Sequence, residues 1–328
     1  MRAVILRGFG GAGQLSFGAA AKPVLSQTGE VLLRARAAGI NRADVLQRQG
    51  KYPPPPGVSE LLGLEVAGEV VESRSPLWSP GDRCMALLAG GGYGEFCVVN
   101  EATCMPVPHN LDSVSAAAVP EAWITAYQLL RFVADSPLRG ESHKKRRLLV
   151  HAAASGVGSA ALQLAGPVFG FDKVIATASS EVKLEFCRGL GATDAFSYKD
   201  GEPLDRRVLE ATGGAGVDVV LDPVAGPLHF PASLKCCAQD AAYVLFAAMA
   251  GAKLTNFSLA PFLLKRVRLL GTTLRGRDLE YKRRLVQGFS ADVLPLLERG
   301  ALRPVVDRVF PVEEAHKAHE HMEANLTM

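Results

Sequence analysis

The sequence lacks the features that mark membrane proteins, zinc proteins and nucleic-acid-binding proteins. Its apolar runs are broken by glycine or by charge well short of the ~20 residues that a membrane helix needs. Its six cysteines include no C-x-x-C pair and no set of four with zinc-finger spacing, so we expect buried apolar thiols and no structural zinc. The net charge of +3 is too small to indicate a nucleic-acid partner.

A secretion signal is also missing from the first residues. A strand-like apolar run at residues 3–6 comes at once, with no basic segment and apolar leader before it, so we expect a cytoplasmic protein with reduced thiols. One strongly basic segment stands out at residues 143–147, His-Lys-Lys-Arg-Arg. We interpret it as a solvated loop, and a patch for RNA or another anionic surface is the alternative.

The chain does have the length and the patterning of two domains. With 328 residues it exceeds one ordinary core. Residues 1–118 carry short apolar segments between glycines and prolines, which predicts a β-rich unit. Its strands are predicted near 30–37, 66–71 and 94–99, and residues 116–130 are predicted to form a helix that bridges the domains.

Residues 119–262 are predicted to form a second domain, because strand-like and helix-like segments alternate there. This rhythm predicts parallel βαβ units with helices on both faces of a sheet. Residues 263–328, with a helix over 281–298 and a strand at 308–310, are predicted to close the first domain. The predicted strands of the second domain are 148–153, 173–178, 217–222 and 241–246, and its helices are 156–166, which Gly166-Pro167 should end, and 181–190.

The most informative motif is the small-residue turn His-Ala-Ala-Ala-Ser-Gly-Val-Gly-Ser at residues 151–159. It lies between a predicted strand and a predicted helix, where backbone N–H groups and the helix dipole can bind a pyrophosphate. Gly156 and Gly158 would let the backbone approach the phosphates. An alanine replaces the first glycine of the usual pattern, and such turns also join ordinary βα units. We predict that Ser155, Gly156, Val157 and Gly158 bind the pyrophosphate of a dinucleotide.

The end of the second strand of this domain predicts which nicotinamide cofactor binds. NAD-binding domains place an acidic residue there, ~20 residues beyond the glycines. This chain has Ala178-Ser179-Ser180 instead, followed by Lys183 one helical turn later and by Tyr198 at the end of the next apolar stretch. A hydroxyl, an ammonium and a phenol suit a 2′-phosphate, so we predict NADPH. Glu181 is a mild objection to this prediction, because it could repel a phosphate.

Short motifs are spread along nearly the whole chain. They are Asn-Arg-Ala-Asp at 41–44, Gln-Arg-Gln-Gly-Lys-Tyr-Pro-Pro-Pro at 47–55, Leu-Gly-Leu-Glu at 62–65, Gly-Asp-Arg at 81–83, Pro-Glu-Ala-Trp-Ile-Thr-Ala at 120–126, Ser-Gly-Val-Gly at 155–158, Ala-His-Lys at 315–317 and Met-Glu-Ala-Asn at 322–325. With these motifs in the family's order, the sequence resembles the zinc-independent quinone oxidoreductases of the medium-chain dehydrogenase/reductase superfamily. Within them it resembles most the p53-inducible, NADPH-dependent branch.

The resemblance implies a Rossmann doubly wound parallel sheet domain inserted in a β-rich GroES-like catalytic domain, with NADPH as cofactor and a homodimer as the assembly. It also implies NADPH-dependent reduction of a quinone by hydride transfer. Reduction of an activated alkene such as an enone is the alternative enzyme, and a weakly catalytic NADPH-binding protein that contacts RNA or a partner is the alternative from another class. The site residues that it implies are Asn41, Asp44 and Tyr52 around the nicotinamide and quinone, Thr125 beside the nicotinamide, Ser180, Lys183 and Tyr198 at the 2′-phosphate, and Asn325 as a further cofactor contact.

The resemblance also implies that no zinc ion is bound. Zinc-dependent relatives carry a cysteine ligand near Asn41 and a His-Glu pair near Leu64-Glu65, and neither Asn41 nor Leu64 is a zinc ligand. Relatives continue beyond Asn325 with a glycine and an apolar strand. We expect the lack of that strand here to leave the first domain's sheet incomplete and to remove cofactor contacts.

Overall fold

The computed structural model describes residues 1–134, 146–255 and 257–328, which form two compact units. The first unit comprises residues 1–124 and 274–327, and the second comprises residues 125–273 and the last residue, Met328. The predicted domain boundaries at 118/119 and 262/263 stay a prediction, because compactness alone does not say which segments fold together. Residues 143–145 of the basic segment lie outside the described residues.

The N-terminal segment of the first unit is built on antiparallel strands. A two-stranded sheet pairs its first two strands, and a five-stranded sheet has the order β6-β3-β4-β5-β7. Alternate residues of the central strands, among them Val31, Leu33 and Val66, point into one apolar core. The elements are β1 (Arg2–Leu6), β2 (Leu15–Ala19), β3 (Glu30–Ala38), α1 (Arg42–Arg48), β4 (Glu65–Ser73), β5 (Arg83–Leu87), β6 (Phe96–Asn100), β7 (Cys104–Pro106) and α2 (Ser113–Ala117).

The segment 116–130 is mostly helical, as its spacing predicts, but it is not one continuous helix. The segment divides into α2, α3 (Pro120–Tyr127) and a π-helical stretch, Gln128–Ala134. The division falls at Pro120, because a proline has no N–H for a preceding helix and suits the first position of a new one. The first unit ends and the second begins within α3, between Ile124 and Thr125.

The second unit is a six-stranded parallel sheet in the order β10-β9-β8-β11-β12-β13. Counted within the unit, this is the order 3-2-1-4-5-6 of a dinucleotide-binding Rossmann sheet. Leu148, Leu149 and Val150 of the central strand are fully buried, because helices cover both faces of such a sheet. The elements are β8 (Arg147–Val150), α4 (Gly156–Ala165), β9 (Lys173–Ala178), α5 (Glu181–Gly189), β10 (Asp194–Ser197), α6 (Leu204–Ala211), β11 (Val217–Asp222), α7 (Gly226–Lys235), β12 (Cys237–Leu245), α8 (Ala260–Lys265) and β13 (Arg268–Gly271).

The C-terminal segment of the first unit is helical. It contains α9 (Leu279–Glu298) and α10 (Ala315–Glu323). The strand predicted at residues 308–310 is absent, and these exposed or half-buried residues form irregular chain before α10. In the part of the chain that is described, no helix combines the length and the apolar character needed to cross a membrane.

The fold class predicted from the sequence is confirmed. The second unit has the parallel Rossmann sheet, and the N-terminal part of the first unit has the antiparallel sheet expected of a GroES-like domain. The predicted strands 173–178 and 217–222 match β9 and β11 to the residue, and α4 ends before Gly166-Pro167 as expected.

Candidate functional site

The small-residue turn connects the central strand β8 to α4. Ser155 is the N-cap of α4, and its hydroxyl accepts a hydrogen bond of 3.2 Å from the Gly158 N–H. The first residues of a helix have N–H groups without an intrahelical acceptor, and here they belong to Gly156 and Val157. The helix begins where the strand order reverses, between β8 and its neighbour β11, which is the usual ligand position in such sheets.

Gly158 is required for packing of the helix against the turn. A Cβ atom at this position would lie 2.6 Å from the carbonyl oxygens of both Ala152 and Ala153. Only glycine therefore allows α4 to approach the turn this closely. The glycine at position 158 is thus required by helix packing, whereas the sequence analysis expected it to be required by close approach to phosphates. The pyrophosphate contacts of residues 155–158 stay a prediction.

The predicted 2′-phosphate residues lie at the carboxyl ends of β9 and β10. These strands pair in parallel with Ser197 opposite Ala178, and the Tyr198 N–H donates to the Ala178 carbonyl over 3.3 Å. Ser180, two residues after Ala178, is the N-cap residue of α5 and makes no capping hydrogen bond through its side chain. Lys183 is half-buried in the first turn of that helix.

The charge of Glu181, the predicted objection to a phosphate, is only weakly paired. The Glu181 carboxylate accepts a hydrogen bond of 2.8 Å from Arg188 on the same helix, and the same Arg188 nitrogen also donates to Glu185 over 2.9 Å. Both pairs are exposed and therefore weak, so the objection from Glu181 stands.

Three aromatic rings, those of Tyr198, His229 and His151, contact one another in series, and we call them the aromatic row. The Tyr198 and His229 ring centroids are 5.4 Å apart with an interplanar angle of 86°, and those of His229 and His151 are 6.1 Å apart. His151 is fully buried, and its nitrogens contact the hydroxyls of Thr177 (2.9 Å) and Ser233 (2.7 Å). Burial lowers the pKa of His151 to about 4, which keeps the imidazole neutral. His229 belongs to no sequence motif, so sequence analysis did not select it.

In the first unit, Asn41 lies at the N-terminus of α1 and its side chain is held by a buried carboxylate. Its Nδ2 donates to Glu65 Oε1 over 2.7 Å, and the Glu121 N–H donates to Glu65 Oε2 over 2.8 Å. Burial raises the pKa of Glu65 to about 7 against these two hydrogen bonds. Burial, and next the Glu65 carboxylate, raise the pKa of Glu121 well above its usual range. One Asn41 N–H thus faces Glu65, and its second N–H is a candidate donor to a ligand.

Asp44 is fully buried and occupied by backbone donors. Its carboxylate accepts hydrogen bonds from the Asn41 N–H (2.8 Å) and the Gly63 N–H (2.9 Å). Burial raises the pKa of Asp44 to about 6, although these donors favour the charged form. Asp44 therefore orients neighbouring residues, because it fixes both the start of α1 and the chain before β4, and its predicted place beside the nicotinamide and quinone stays a prediction.

Tyr52 is half-buried and rests on Arg275, which the sequence analysis missed. The Arg275 guanidinium lies 5.4 Å from the Tyr52 ring centroid and donates to the carbonyls of Tyr52 (3.3 Å) and Ala89 (2.7 Å) and to Gln47 Oε1 (2.7 Å). Burial, and next Glu121, raise the pKa of Tyr52, which keeps its phenol a proton donor. Arg275 sits in irregular chain without a motif, so no sequence signal identified it.

The structure does not bring together all of the predicted residues within one unit. Thr125, half-buried in α3, belongs to the second unit, whereas Asn325 belongs to the first. Asn325 has φ +55° just after α10, and its side-chain oxygen accepts a hydrogen bond of 2.8 Å from Arg42. Arg42 also donates to the Met322 carbonyl over 2.9 Å. These contacts give Asn325 a structural role at a helix end, and its predicted cofactor contact stays a prediction.

No group of three or more histidine, cysteine, aspartate or glutamate side chains that could hold a metal ion occurs among the described residues. All six cysteines are buried and reduced, and burial raises the pKa of Cys97 to about 12. The position near the ligand cysteine of zinc-dependent relatives is occupied by Asn41, whose amide is held by Glu65.

Comparisons with known proteins match the fold in both units. Residues 27–109 match the family of alcohol dehydrogenase GroES-like domains, and residues 156–290 match the zinc-binding dehydrogenase family. The chain is 35% identical over 302 residues to the quinone oxidoreductase of Pseudomonas aeruginosa, which covers 91% of this chain and 89% of that protein.

Two solved structures show the similarity of the fold. An NAD-dependent alcohol dehydrogenase superposes with a TM-score of 0.82 at 29% identity, covering 99% of this chain and 96% of that chain. The Escherichia coli quinone oxidoreductase complexed with NADPH superposes with a TM-score of 0.80 at 28% identity, covering 100% of this chain and 98% of that chain.

Proposed function

Because the chain belongs to the medium-chain dehydrogenase/reductase superfamily of NAD(P)H-dependent oxidoreductases, we propose that it is an NADPH-dependent quinone reductase that works without a metal ion. The observation that carries the choice of coenzyme is the carboxyl end of β9, which has no carboxylate and is followed by Lys183 in the first turn of α5. The quinone as acceptor rests on relatives named quinone oxidoreductase. We also propose that the protein is a homodimer and that it belongs to the p53-inducible branch of the quinone oxidoreductases.

The second unit offers a donor set that fits NADPH. Ser155, Gly156, Val157 and Gly158 would hold the pyrophosphate at the N-terminus of α4, where the helix dipole favours an anion. Ser180, Lys183 and Tyr198 would hold the 2′-phosphate, and the Tyr198 side chain is 43% exposed and thus able to reach a ligand. Thr125 would contact the nicotinamide. When bound, NADPH supplies a hydride to the acceptor.

The first unit offers hydrogen-bond donors for the quinone oxygens. Asn41 has an amide N–H that is not directed at Glu65, and Tyr52 keeps its phenol proton because burial raises its pKa. Donors fixed before the reaction stabilise the negative charge that develops on a reduced quinone. Asp44 and Arg275 act as positioning residues, since each fixes the backbone that carries one of these donors.

Quinone reduction needs neither a metal nor a buried acid from this chain. Quinones accept hydride readily, and the reduced product has a conjugate acid with a pKa near that of tyrosine, ~10, so water can protonate it. A zinc-bound alkoxide would need soft or imidazole ligands at positions occupied here by Asn41 and Leu64. Leu64 is buried and apolar, and Asn41 is engaged by Glu65.

The coenzyme assignment is tested by Lys183→Ala. We expect NADPH binding to weaken about ten-fold while NADH binding is unchanged, because one charged hydrogen bond to a phosphate is worth ~1.5–3 kcal/mol. Coenzyme fluorescence titration measures both affinities. Lys235→Ala, an exposed lysine of α7 in the same unit, is the matched control and should change neither value. An unchanged NADPH/NADH preference in Lys183→Ala would contradict the 2′-phosphate assignment.

The acceptor is tested by steady-state NADPH oxidation with ortho-quinones and with alkenals side by side. We expect turnover with quinones and a loss of kcat/KM in Tyr52→Phe. Activity on alkenals alone would favour the enone reductase, and tight NADPH binding without any turnover would favour a binding protein. Light scattering of the purified protein tests the homodimer.

A further inference from the structure

The aromatic row reaches from the interior of the second unit to its surface beside the residues proposed for the 2′-phosphate. His151 follows the central strand β8 and is fully buried, whereas Tyr198 follows β10 and is 43% exposed. His229, in the first turns of α7, is half-buried and makes ring contacts with both of them. One imidazole of α7 is thus placed at the carboxyl edge of the sheet, against the phenol of Tyr198.

The two histidines of the row differ in how their nitrogens are used. Both nitrogens of His151 are occupied by the hydroxyls of Thr177 and Ser233. Among the described residues, neither ring nitrogen of His229 makes a hydrogen bond, although its backbone carbonyl accepts one of 2.7 Å from Ser233. His229 therefore has an N–H available for a ligand. A half-buried imidazole without a protein partner usually finds one in a bound group or in water.

We propose that His229 is a further specificity-determining residue, whose imidazole N–H donates a hydrogen bond to the 2′-phosphate of NADPH beside the Tyr198 phenol. This inference rests on the proposed function, because it requires that the dinucleotide carry a 2′-phosphate at this edge. Neither the sequence motifs nor the resemblance pointed to His229.

The chemistry of the ligand explains why such a donor would discriminate between the coenzymes. A phosphate monoester carries a charge of about −1.5 to −2 and three strong acceptor oxygens, so it can engage a fourth donor besides Ser180, Lys183 and Tyr198. NADH has a single ribose hydroxyl at that position and leaves such a donor with little to bind.

The test compares His229→Phe with His229→Gln. Phenylalanine keeps an aromatic ring against Tyr198 but has no N–H, whereas glutamine keeps an N–H donor. We expect His229→Phe to weaken NADPH binding about ten-fold (about 1.4 kcal/mol) with NADH binding unchanged, and His229→Gln to stay within about threefold of the wild type for both coenzymes. His316→Phe, at a half-buried histidine of the first unit, is the matched control. Coenzyme fluorescence and displacement by 2′,5′-ADP or 5′-AMP give the affinities without turnover.

If His229→Phe retains the NADPH preference, or weakens the binding of both coenzymes equally, the inference is wrong and His229 has a packing role only. A second readout uses the unaltered protein: its His229 ring resonances should shift with 2′,5′-ADP and not with 5′-AMP, and the absence of that difference would also overturn the inference. Failure of the wild type to bind NADPH in preference to NADH would instead overturn the proposed coenzyme, and the inference with it.

Discussion

The two units bury polar groups in different ways. The first unit has four fully or almost fully buried charged side chains, Asp44, Arg48, Glu65 and Arg275, together with His319. The second unit has the parallel sheet with an apolar core. Among its described residues, the buried His151 and Asp222 are paired with hydroxyls of Thr177, Ser233 and Tyr243. Buried charge is costly unless it is hydrogen-bonded, so the first unit depends more on its polar contacts than the second does.

The contacts also differ in their reach along the chain. In the second unit, the turn before α4 is local, with Ser155 capping the N–H of Gly158 three residues later. In the first unit, Asn41 bonds Glu65 over 24 residues, and Arg275 bonds Tyr52 over 223. A dinucleotide site made by backbone can therefore be recognised in a short motif. A site made by buried side chains forms only after distant segments have packed.

The largest effect should come from Arg275→Met. The change leaves Gln47 Oε1 and the Ala89 carbonyl without their buried donor and removes the support of Tyr52. We expect a loss of about 4 kcal/mol in the free energy of unfolding, measured by urea denaturation, because several charge-assisted hydrogen bonds disappear together. Arg36→Met, which breaks an exposed pair with Glu69 in the same unit, should cost less than about 1 kcal/mol. Equal losses in both variants would remove the contrast between buried and exposed charge.

The next largest loss of stability should come from a change in packing, and not in charge, in the second unit. Gly158→Ala places a methyl group 2.6 Å from two backbone oxygens that cannot move independently, so α4 must shift. We expect a loss of about 3 kcal/mol in stability, together with weaker NADPH binding. Gly189→Ala is the matched control, since nothing lies within 4 Å of its added Cβ in α5. It should be neutral or stabilise by up to about 1 kcal/mol. A Gly158→Ala protein that is as stable as the wild type would contradict the close approach.

The smallest effect concerns the pH dependence of the first unit. The folded pKa of Glu65, about 7, lies above the value of 4.5 expected for the unfolded chain, so folding takes up a proton and stability falls as the pH rises. Between pH 5 and pH 7 this one group should cost about 2 kcal/mol, and Glu65→Gln should remove that part of the slope. Denaturation of both proteins across this range measures it. Identical slopes would show that Glu65 is already ionised at pH 5.

The difference between local and long-range contacts also explains which elements of the fold could be predicted from the sequence. Strands β9 and β11 were predicted to the residue, because both are short apolar runs bounded by polar residues. The helix α7 was missed, since prolines at positions 227 and 231 hide a helical pattern. The strand expected at 308–310 failed because Val309, which is 64% exposed, has no partner strand to support it.

The residues of the candidate site also differ in whether they could be predicted from the sequence. The glycine turn and the missing acidic residue after β9 were visible as short motifs with fixed spacing. Arg275 and His229 were not, because each is a single residue whose partners come from distant parts of the chain. The anchoring of Asn41 by Glu65 was also out of reach, since a sequence does not show which carboxylates a fold will bury.

The contacts between α1 and α10 have a consequence for synthesis on the ribosome. Arg48 and Gln49 at the end of α1 both bind the carboxylate of Glu323, and Arg42 binds Asn325, so these partners are 274 to 283 residues apart in the chain. At ~5–20 residues per second, the N-terminal part must wait tens of seconds for the segment that completes it. During that interval a guanidinium destined for the interior has no counterion. A nascent chain of this kind is a natural client for chaperones until its last helix emerges.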